Sequence, residues 1–204
     1  MASFGYEMNS KWFHYCGGAV VSDHILISAA HCFFHGSKAN AASRQRTKVR
    51  LGDQNLNDGI DDANTYDIEN FVIHPGYSGR GVKFDIAIVY TKSKIMFSNW
   101  TMPISLQTIP HDDANEEVKF TGWGYFDEYA DVSNDLREAT FKVLPESECL
   151  SRDFYYRRRK VKDFFFCAGH EVSYFLKHLR GFYKTTETRM AMQFKNYQSI
   201  GALK

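Results

Sequence analysis

A chain of 204 residues is long enough for one large all-β domain or for two small barrels. Its charges nearly cancel, with a formal net charge of +1, so the overall charge gives no indication of a nucleic-acid partner. No apolar run approaches the roughly 18 consecutive residues that a membrane-spanning helix needs, so the sequence predicts no transmembrane segment.

The cysteines and the first residues give conflicting indications about the compartment. Four cysteines fall into two pairs of similar spacing, Cys16 with Cys32 and Cys149 with Cys167, which is typical of proteins in an oxidising environment. The start of the chain nevertheless lacks the basic region and the apolar core of a signal peptide, and we therefore expect an incomplete N-terminus. Residues 1–15 mix aromatic and polar side chains, which predicts an outer strand leading into Cys16.

A hairpin is predicted between Cys16 and Cys32. Two short apolar runs, residues 19–21 and 25–27, are separated by a Ser-Asp-His sequence, and Ser-Asp favours a turn between β-branched strands. A disulfide between the two cysteines would clamp the open end of the hairpin and stabilise it by roughly 3 kcal/mol. It would also hold His31, which directly precedes Cys32, at a fixed place on a rigid sheet.

Zinc binding is an alternative for the end of this hairpin, because His31, Cys32 and His35 lie close together in the sequence. Zinc sites usually combine cysteine and histidine in paired or regularly spaced motifs. Cys16 and Cys32 are far apart by that standard, so the sequence favours a disulfide and predicts no metal site.

An acidic loop follows residues 49–51. Its oxygen-bearing residues are Asp53, Asn55, Asn57, Asp58, Asp61, Asp62 and Asn64. Oxygen ligands at this density could hold calcium, but no glutamate stands at the expected flanks, so a hydrated loop is the favoured interpretation. Residues 66–74 then alternate as a strand and stop at Pro75.

An acidic residue stands inside the next apolar run, residues 84–89. Asp85 is followed by Ile-Ala-Ile-Val, and we expect it within a strand. An unpaired buried carboxylate is costly, so some donor must hydrogen-bond it. Asp85 is either a turn residue at the edge of a strand or a carboxylate that orients a histidine, for which His31 is the candidate.

After Asp85 the chain carries one modification motif and one further strand pattern. Asn99-Trp100-Thr101 is an N-glycosylation acceptor in a secreted protein, and residues 136–144 alternate as a strand. A basic run lies between Cys149 and Cys167, and a solvated helix face is favoured there over an acidic or heparin-like partner. Its residues are Arg157, Arg158, Arg159, Lys160 and Lys162.

Several motifs occur in a fixed order along the chain. They are Cys16-Gly17-Gly18, Ala29-Ala30-His31-Cys32, Asp85-Ile86-Ala87, Thr121-Gly122-Trp123-Gly124 and Phe166-Cys167-Ala168-Gly169. Together they resemble the trypsin/chymotrypsin family of serine endopeptidases. The resemblance implies an all-β fold of two antiparallel β-barrels, the first over residues 1–102 and an incomplete second one over residues 103–169.

The same resemblance implies roles for individual residues. His31 would be the general base and acid, and Asp85 the carboxylate that orients it. Disulfides would join Cys16 to Cys32 and Cys149 to Cys167. The family implies a secreted location and protein substrates or inhibitors as partners. No cofactor, no metal ion and no nucleic acid is expected, although some members of the family bind calcium in the loop that corresponds to the acidic residues 53–64.

The resemblance ends near residue 169, before the segment that would supply the nucleophile. The family continues to a Gly-Asp-Ser-Gly-Gly-Pro string, which carries the nucleophilic serine and the oxyanion-hole amides. Residues 170–204 contain no such string, and Ser173 and Ser199 lie among non-matching neighbours. We therefore expect a serine endopeptidase by family that is inactive as written. The alternative is a non-catalytic homologue that acts as a binding or regulatory scaffold.

Residues 170–204 form a non-matching tail in which apolar residues recur at helical spacing and Lys and Arg outnumber Glu. The apolar positions are Val172, Phe175, Leu176, Leu179, Phe182 and Tyr183. A basic amphipathic helix of this kind could bind a membrane or a partner. The alternative is that these residues are unrelated to the rest of the chain and that the helical spacing is accidental, in which case no binding to a membrane or a partner is expected.

Overall fold

The structure, a computed structural model, describes residues 1–35, 38–39, 46–57, 64–79, 83–106, 114–124, 133–148 and 167–169. The chain divides into two compact units. The first comprises Met1–Ser105 with Asn134–Leu136, and the second comprises Leu106–Ser133 and the residues from Arg137 onward. Antiparallel strands make up the sheets of both units in the described part of the chain.

The first unit contains a closed antiparallel barrel. The strands of this unit are β1 (Ala2–Met8), β2 (Lys11–Val20), β3 (Ile25–Ser28), β4 (Phe34–His35), β5 (Lys38–Ala39), β6 (Lys48–Leu51), β7 (Thr65–Ile73) and β8 (Ala87–Thr91), with a 3-10 turn at Ala30–Cys32. The barrel follows the order β1-β2-β3-β8-β7-β6, so each of its strands is paired on both sides. Strands β4 and β5 pair with each other in a separate two-stranded sheet.

Apolar side chains fill the barrel, because alternate residues of each strand point to its inner face. Phe4, Leu26 and Val89 are fully buried, and each comes from a different strand. The ring of Phe33 packs edge-on against Phe4, with 5.4 Å between centroids, and stacks on Phe71 at 5.0 Å. Such ring pairs contribute about 0.5–1.5 kcal/mol each beyond the area that they bury. This core forms a rigid frame for the loops that leave it.

A strand leads into Cys16 as predicted, but the first fifteen residues form a hairpin of two strands, and both belong to the closed barrel rather than to an outer edge. Strands β1 and β2 pair as far as Met8, which lies opposite Lys11. The chain reverses at Asn9 and Ser10, with φ angles of 52° and 57°. Two successive left-handed residues give the type I′ turn, whose twist matches that of the two strands it joins.

The predicted hairpin that precedes His31 is confirmed. Strands β2 and β3 are antiparallel, with Gly18 opposite Ser28. In the turn, the backbone N–H groups of Val21 and Ser22 both donate to the carbonyl oxygen of Ile25, at 2.8 and 3.1 Å. The reversal therefore falls on the Ser-Asp-His sequence, as the turn propensity of these residues predicts.

Close packing requires the second glycine of the Cys-Gly-Gly motif. A Cβ on Gly18 would lie 2.7 Å from the carbonyl oxygen of Ile27 on the neighbouring strand and 2.6 Å from the ring of Phe4. Both contacts are too short for a carbon atom, so glycine is the residue that lets β2 approach its neighbours here.

The second unit contains a smaller antiparallel sheet. Its strands are β9 (Glu117–Gly122), β10 (Arg137–Leu144) and β11 (Cys167–Gly169), in the order β11-β10-β9. Phe120 and Phe141 pack edge-on across β9 and β10, and Trp123 is buried directly after β9. The all-β prediction is therefore confirmed, with a closed barrel in the first unit and a partial second sheet.

Several predictions concern residues outside the described part of the chain. They are the bridge that involves Cys149, the basic run at 157–162, the neighbourhoods of Ser173 and Ser199, and the amphipathic pattern at 170–204. Among the residues that are described, no helix has the length and the hydropathy needed to cross a membrane.

Candidate active site

A short 3-10 turn places His31 directly after strand β3. The alanines before it, Ala29 and Ala30, are completely buried, so larger side chains would have to displace the core. The next residue, Cys32, forms a disulfide with Cys16 of strand β2. Strand and disulfide together fix the backbone of His31 on both of its sides.

The same disulfide bears on the zinc alternative. The ligand atoms of Cys16, His31 and Cys32 lie within 4.8 Å of one another, which is compact enough for a metal site. The two sulfur atoms are bonded to each other, however, and a disulfide supplies no thiolate for zinc. The geometry therefore favours a structural bridge beside the imidazole over a metal site.

Asp85 lies in a tight turn just before β8 begins at Ala87, so its predicted place within a strand is wrong. Phe84 has a φ of 58°, which is uncommon for a bulky residue. The N–H of Ile86 donates to the carbonyl oxygen of Phe84 at 2.8 Å and closes the turn around Asp85. The positive φ is a local conformation that hydrophobic alternation does not reveal.

Asp85 and His31 contact each other directly, although they are far apart in the sequence. Oδ1 of Asp85 accepts the backbone N–H of His31 at 2.7 Å, and Oδ2 lies 2.8 Å from the ring nitrogen Nδ1. The side chain of Asp85 is 2% exposed and that of His31 is 21% exposed. The structure thus brings together the two residues that the sequence analysis selects as catalytic candidates, and it leaves part of the imidazole accessible.

This contact determines where the imidazole proton resides. An ionised carboxylate only accepts hydrogen bonds, so Nδ1 of His31 must be the protonated ring nitrogen. Nε2 is then the basic nitrogen, and it lies 3.7 Å from Sγ of Cys32, a disulfide sulfur with no proton to give. The arrangement can accept a proton at Nε2, and the buried carboxylate of Asp85 can stabilise the imidazolium that results.

His74 and Gly76, which the sequence analysis leaves without a site role, support the turn at Asp85. The ring of His74 stacks on Phe84 with 4.6 Å between centroids and an interplanar angle of 7°. Its backbone N–H donates to the carbonyl oxygen of Ile86 at 3.0 Å, and its burial lowers the pKa of the imidazole. A Cβ on Gly76 would come within 2.7 Å of the Phe84 ring. The sequence feature that could have pointed to this support is His-Pro-Gly, which directly follows β7.

A contact between a serine and a histidine lies on the β1–β2 hairpin. The indole N–H of Trp12 donates to Oγ of Ser3 at 2.8 Å, and the same Oγ lies 2.8 Å from Nδ1 of His14. Ser3 can therefore donate its hydroxyl proton to His14. Because Ser3 is completely buried, its hydroxyl is not accessible to a substrate. The sequence alone does not reveal this group, because Ser3, Trp12 and His14 come together only when β1 pairs with β2.

Folding should become less favourable in mild acid because of His14. Burial lowers the pKa of His14 to about 4, from 6.5 in the unfolded chain. Between these values the unfolded state binds a proton that the folded state does not, so this contribution is complete at neutral pH and is lost on acidification. We expect the free energy of unfolding to fall by roughly 2 kcal/mol between about pH 7.5 and about pH 5, measured by urea unfolding.

Two variants serve as controls for this pH dependence. His14→Gln should remove most of it, because glutamine does not titrate. His24→Gln replaces an exposed histidine in the β2–β3 turn and should keep the dependence of the wild-type chain. The same slope in the wild type and in His14→Gln would contradict the assignment to His14.

Two residues of the acidic loop for which calcium binding is an alternative are bound by other residues of the protein. Asp53 forms an ion pair with the buried Arg50, with 2.6 Å between Oδ2 and the guanidinium nitrogen. Asn55 donates from its amide to Asp135 at 2.7 Å and accepts the backbone N–H of Asn57 at 2.8 Å. The loop's other aspartates lie outside the described residues. These contacts favour a loop held by protein groups over a loop held by calcium.

The chain is similar in sequence to serine proteases along most of its length. A family model described as Trypsin matches residues 1–174. Trypsin iota of Drosophila melanogaster is 31% identical over 157 residues, which cover 76% of this chain and 58% of that protein. The venom serine protease Bi-VSP of Bombus ignitus is 30% identical over 161 residues, which cover 76% of this chain and 42% of that protein. The chain thus spans between 42% and 58% of the length of these two curated relatives.

A solved structure is similar in fold. Neuropsin, a serine protease expressed in the limbic system of mouse brain, matches with a TM-score of 0.64 at 20% sequence identity. The match covers 83% of this chain and 69% of that chain. At this identity the similarity bears on the fold alone, and it agrees with the closed barrel and the second sheet.

Proposed function

The chain belongs to the trypsin family, and on that premise we propose that His31 is the general base and acid of a serine endopeptidase site and that Asp85 is the carboxylate that orients it. The observation that supports this most strongly is the contact of 2.8 Å between His31 Nδ1 and the buried carboxylate of Asp85. It leaves Nε2 as the base, on a ring that solvent can reach. No metal or cofactor is needed for this chemistry.

In the proposed reaction, Nε2 of His31 removes the proton from an attacking serine hydroxyl and later donates it to the leaving amine. Asp85 keeps the imidazole in the tautomer that this transfer requires and stabilises its charged form. The substrate class is a peptide bond in a protein, which the serine proteases among the relatives support. Protein inhibitors of such enzymes are the second class of partner.

We further propose that this chain of 204 residues forms no acyl-enzyme by itself. Its sequence contains no Gly-Asp-Ser-Gly string. Ser3 has a histidine partner, but it is completely buried and so cannot attack a substrate. Without the nucleophile and the oxyanion amides, the remaining pair has no hydroxyl to activate.

The expected result is that a fluorophosphonate labels no serine of the recombinant chain. Active trypsin treated in the same buffer is the positive control, and mass spectrometry of the intact chain and of its peptides is the measurement. A stoichiometric adduct on any serine would show that a nucleophile is present and would overturn the proposed inactivity.

The proton-transfer role can be tested on a chimera. Replacing residues 170–204 with the matching segment of Trypsin iota should give a chain that the fluorophosphonate labels. Adding His31→Ala to the chimera should slow labelling by at least about a hundredfold. Equal labelling rates with and without His31 would contradict its role as the base.

A non-catalytic homologue that acts as a binding or regulatory scaffold is the second candidate. Two observations favour it: the barrel is closed, and the nucleophile string is absent from the same chain. Saturable binding of a protein substrate or inhibitor by the unlabelled, monomeric chain would support this function. Partner binding by the basic residues of 170–204 belongs to the same proposal.

We also propose an extracellular location. The disulfide between Cys16 and Cys32 persists in an oxidising compartment, where extracellular proteins fold. The venom serine protease among the relatives agrees with that assignment.

A further inference from the structure

We propose that Asn99 carries an N-linked glycan whose first sugar covers an exposed apolar patch around it. This inference rests on the extracellular location proposed above and on no part of the proteolytic chemistry. Asn99-Trp100-Thr101 is the single Asn-x-Ser/Thr motif in the 204 residues. The structure shows where this motif lies and what surrounds it.

The motif occupies a tight turn on the first unit. The backbone N–H of Ser98 donates to the carbonyl oxygen of Thr101 at 2.9 Å, and the N–H of Thr101 donates back to Ser98 at 3.2 Å. The N–H of Trp100 also donates to Oγ of Ser98, at 3.2 Å. Asn99 is exposed in this turn, whereas Thr101 is buried and anchors it to the unit. A glycan on Asn99 therefore starts from a fixed point and extends into solvent.

Exposed apolar side chains flank the turn on both sides. Phe97, two residues before Asn99, is 48% exposed, and Trp100, the residue after it, is 69% exposed. Met96, Met102 and Ile104, which are close to Asn99 in the sequence, are exposed as well. A group of large apolar side chains left exposed in one short segment is a place that another group can cover.

A sugar attached at Asn99 fits this patch for two reasons. A pyranose ring has a face of C–H groups that packs on aromatic rings and a rim of hydroxyls that stays hydrated. The covalent link also holds that ring beside Phe97 and Trp100, so little further ordering is needed. A protein partner would have to supply its own binding free energy at the same patch.

The modification step transfers an oligosaccharide from a lipid pyrophosphate. The amide nitrogen of Asn99 forms a bond to the anomeric carbon of the sugar and loses one proton. The bond between that carbon and the phosphate oxygen breaks, and the lipid pyrophosphate leaves. No redox change is involved.

The fold also determines that the glycan must be attached before the first unit folds. The hydroxyl of Thr101 has no hydrogen-bond partner among the described residues and lies against Gly52, where an added Cβ would be 2.9 Å from it. Once the unit has folded, a transferase cannot reach this hydroxyl, which is part of the acceptor motif. Transfer must therefore act on the unfolded chain as it enters the secretory pathway.

The test is translation of the full chain behind a cleavable secretory leader in the presence of microsomes. The leader brings the chain to the transferase whatever its own targeting and activity, so this test is independent of the proposed proteolytic role. We expect one glycan that a peptide N-glycosidase removes with conversion of Asn99 to aspartate, and none on Asn99→Gln. The control is Lys11→Thr in the Asn99→Gln chain, which creates an Asn-Ser-Thr motif in the exposed β1–β2 turn.

Two results decide the proposal. A wild-type chain without a glycan, in reactions that modify the Lys11→Thr control, overturns the site. For the covering role, trimming to the first sugar should leave Tm unchanged, and complete removal should lower it by about 2 to 4 °C. Phe97→Ser should abolish that difference. A Tm that does not respond to complete removal overturns the covering role and leaves the patch to a protein partner.

Discussion

Asp85→Ala is expected to lower the free energy of unfolding by about 3 to 4 kcal/mol. The substitution removes an almost fully buried acceptor and leaves two donors of His31, its backbone N–H and its Nδ1–H, without a partner. A buried donor without a partner costs about 1–3 kcal/mol. Urea unfolding monitored by tryptophan fluorescence measures the loss.

Asp67→Asn is the matched control for that variant. Its carboxylate is 54% exposed, and its contacts to Lys48 and Lys92 are long, at 4.0 and 3.8 Å. We expect this control to change stability by at most about 0.5 kcal/mol. If Asp85→Ala cost no more than Asp67→Asn, the buried carboxylate would not hold the turn that carries His31, contrary to the structure.

Asp85→Asn tests whether Asp85 selects the tautomer of His31, separately from its contribution to stability. The amide oxygen can keep the backbone N–H of His31, while the NH₂ group must donate to Nδ1. The imidazole then carries its proton on Nε2, so Nε2 can no longer act as a base. Nitrogen NMR of the His31 ring should show protonation at Nδ1 in the wild type and at Nε2 in this variant. Protonation at Nδ1 in both would contradict the orienting role of Asp85.

Replacing Cys16 and Cys32 together by alanine is the second large change. The disulfide joins residues with a sequence separation of 16, and in the chain-entropy model a loop of this size contributes about 3 kcal/mol. We expect a loss of that size in urea unfolding. The loss should arise mainly in the unfolded state, because the cross-link restricts that ensemble.

The control for this double variant is a measurement on its folded state. If the pair of alanines acts through the unfolded chain, the His31 Nδ1 proton should still be found in the contact with Asp85. A loss below about 1 kcal/mol would show that the barrel closes without help from the cross-link. Release of His31 from Asp85 would instead show that the disulfide positions the imidazole directly.

The candidate site could be predicted from sequence where its determinants are local. The hairpin before His31 is marked by two apolar runs, a turn sequence and a cysteine at each end. The two buried alanines, Ala29 and Ala30, leave room only for small side chains, so their place in the motif has a packing reason. Asp85 was identifiable because a carboxylate in an apolar run must find a donor.

What escaped prediction depends on backbone conformation or on distant pairing. Asn9 and Ser10 both adopt positive φ without a glycine, so the usual signal of a two-residue hairpin is missing. Phe84 adopts positive φ too, which moves Asp85 out of the strand that alternation predicts. Arg50 was not singled out, because a cation is expected at the surface, yet its ion pair with Asp53 lets it lie in the interior.

The order of the barrel strands has a consequence for synthesis. Its final strand ends at Thr91, so the nascent chain holds every strand of the barrel while its second half is still being made. Asn99 is synthesised shortly after that strand. Closure of the barrel and transfer of the sugar to Asn99 can therefore occur at the same stage of synthesis. A chain whose first unit folds before the transfer would bury Thr101 and keep an unglycosylated Asn99 beside exposed apolar side chains.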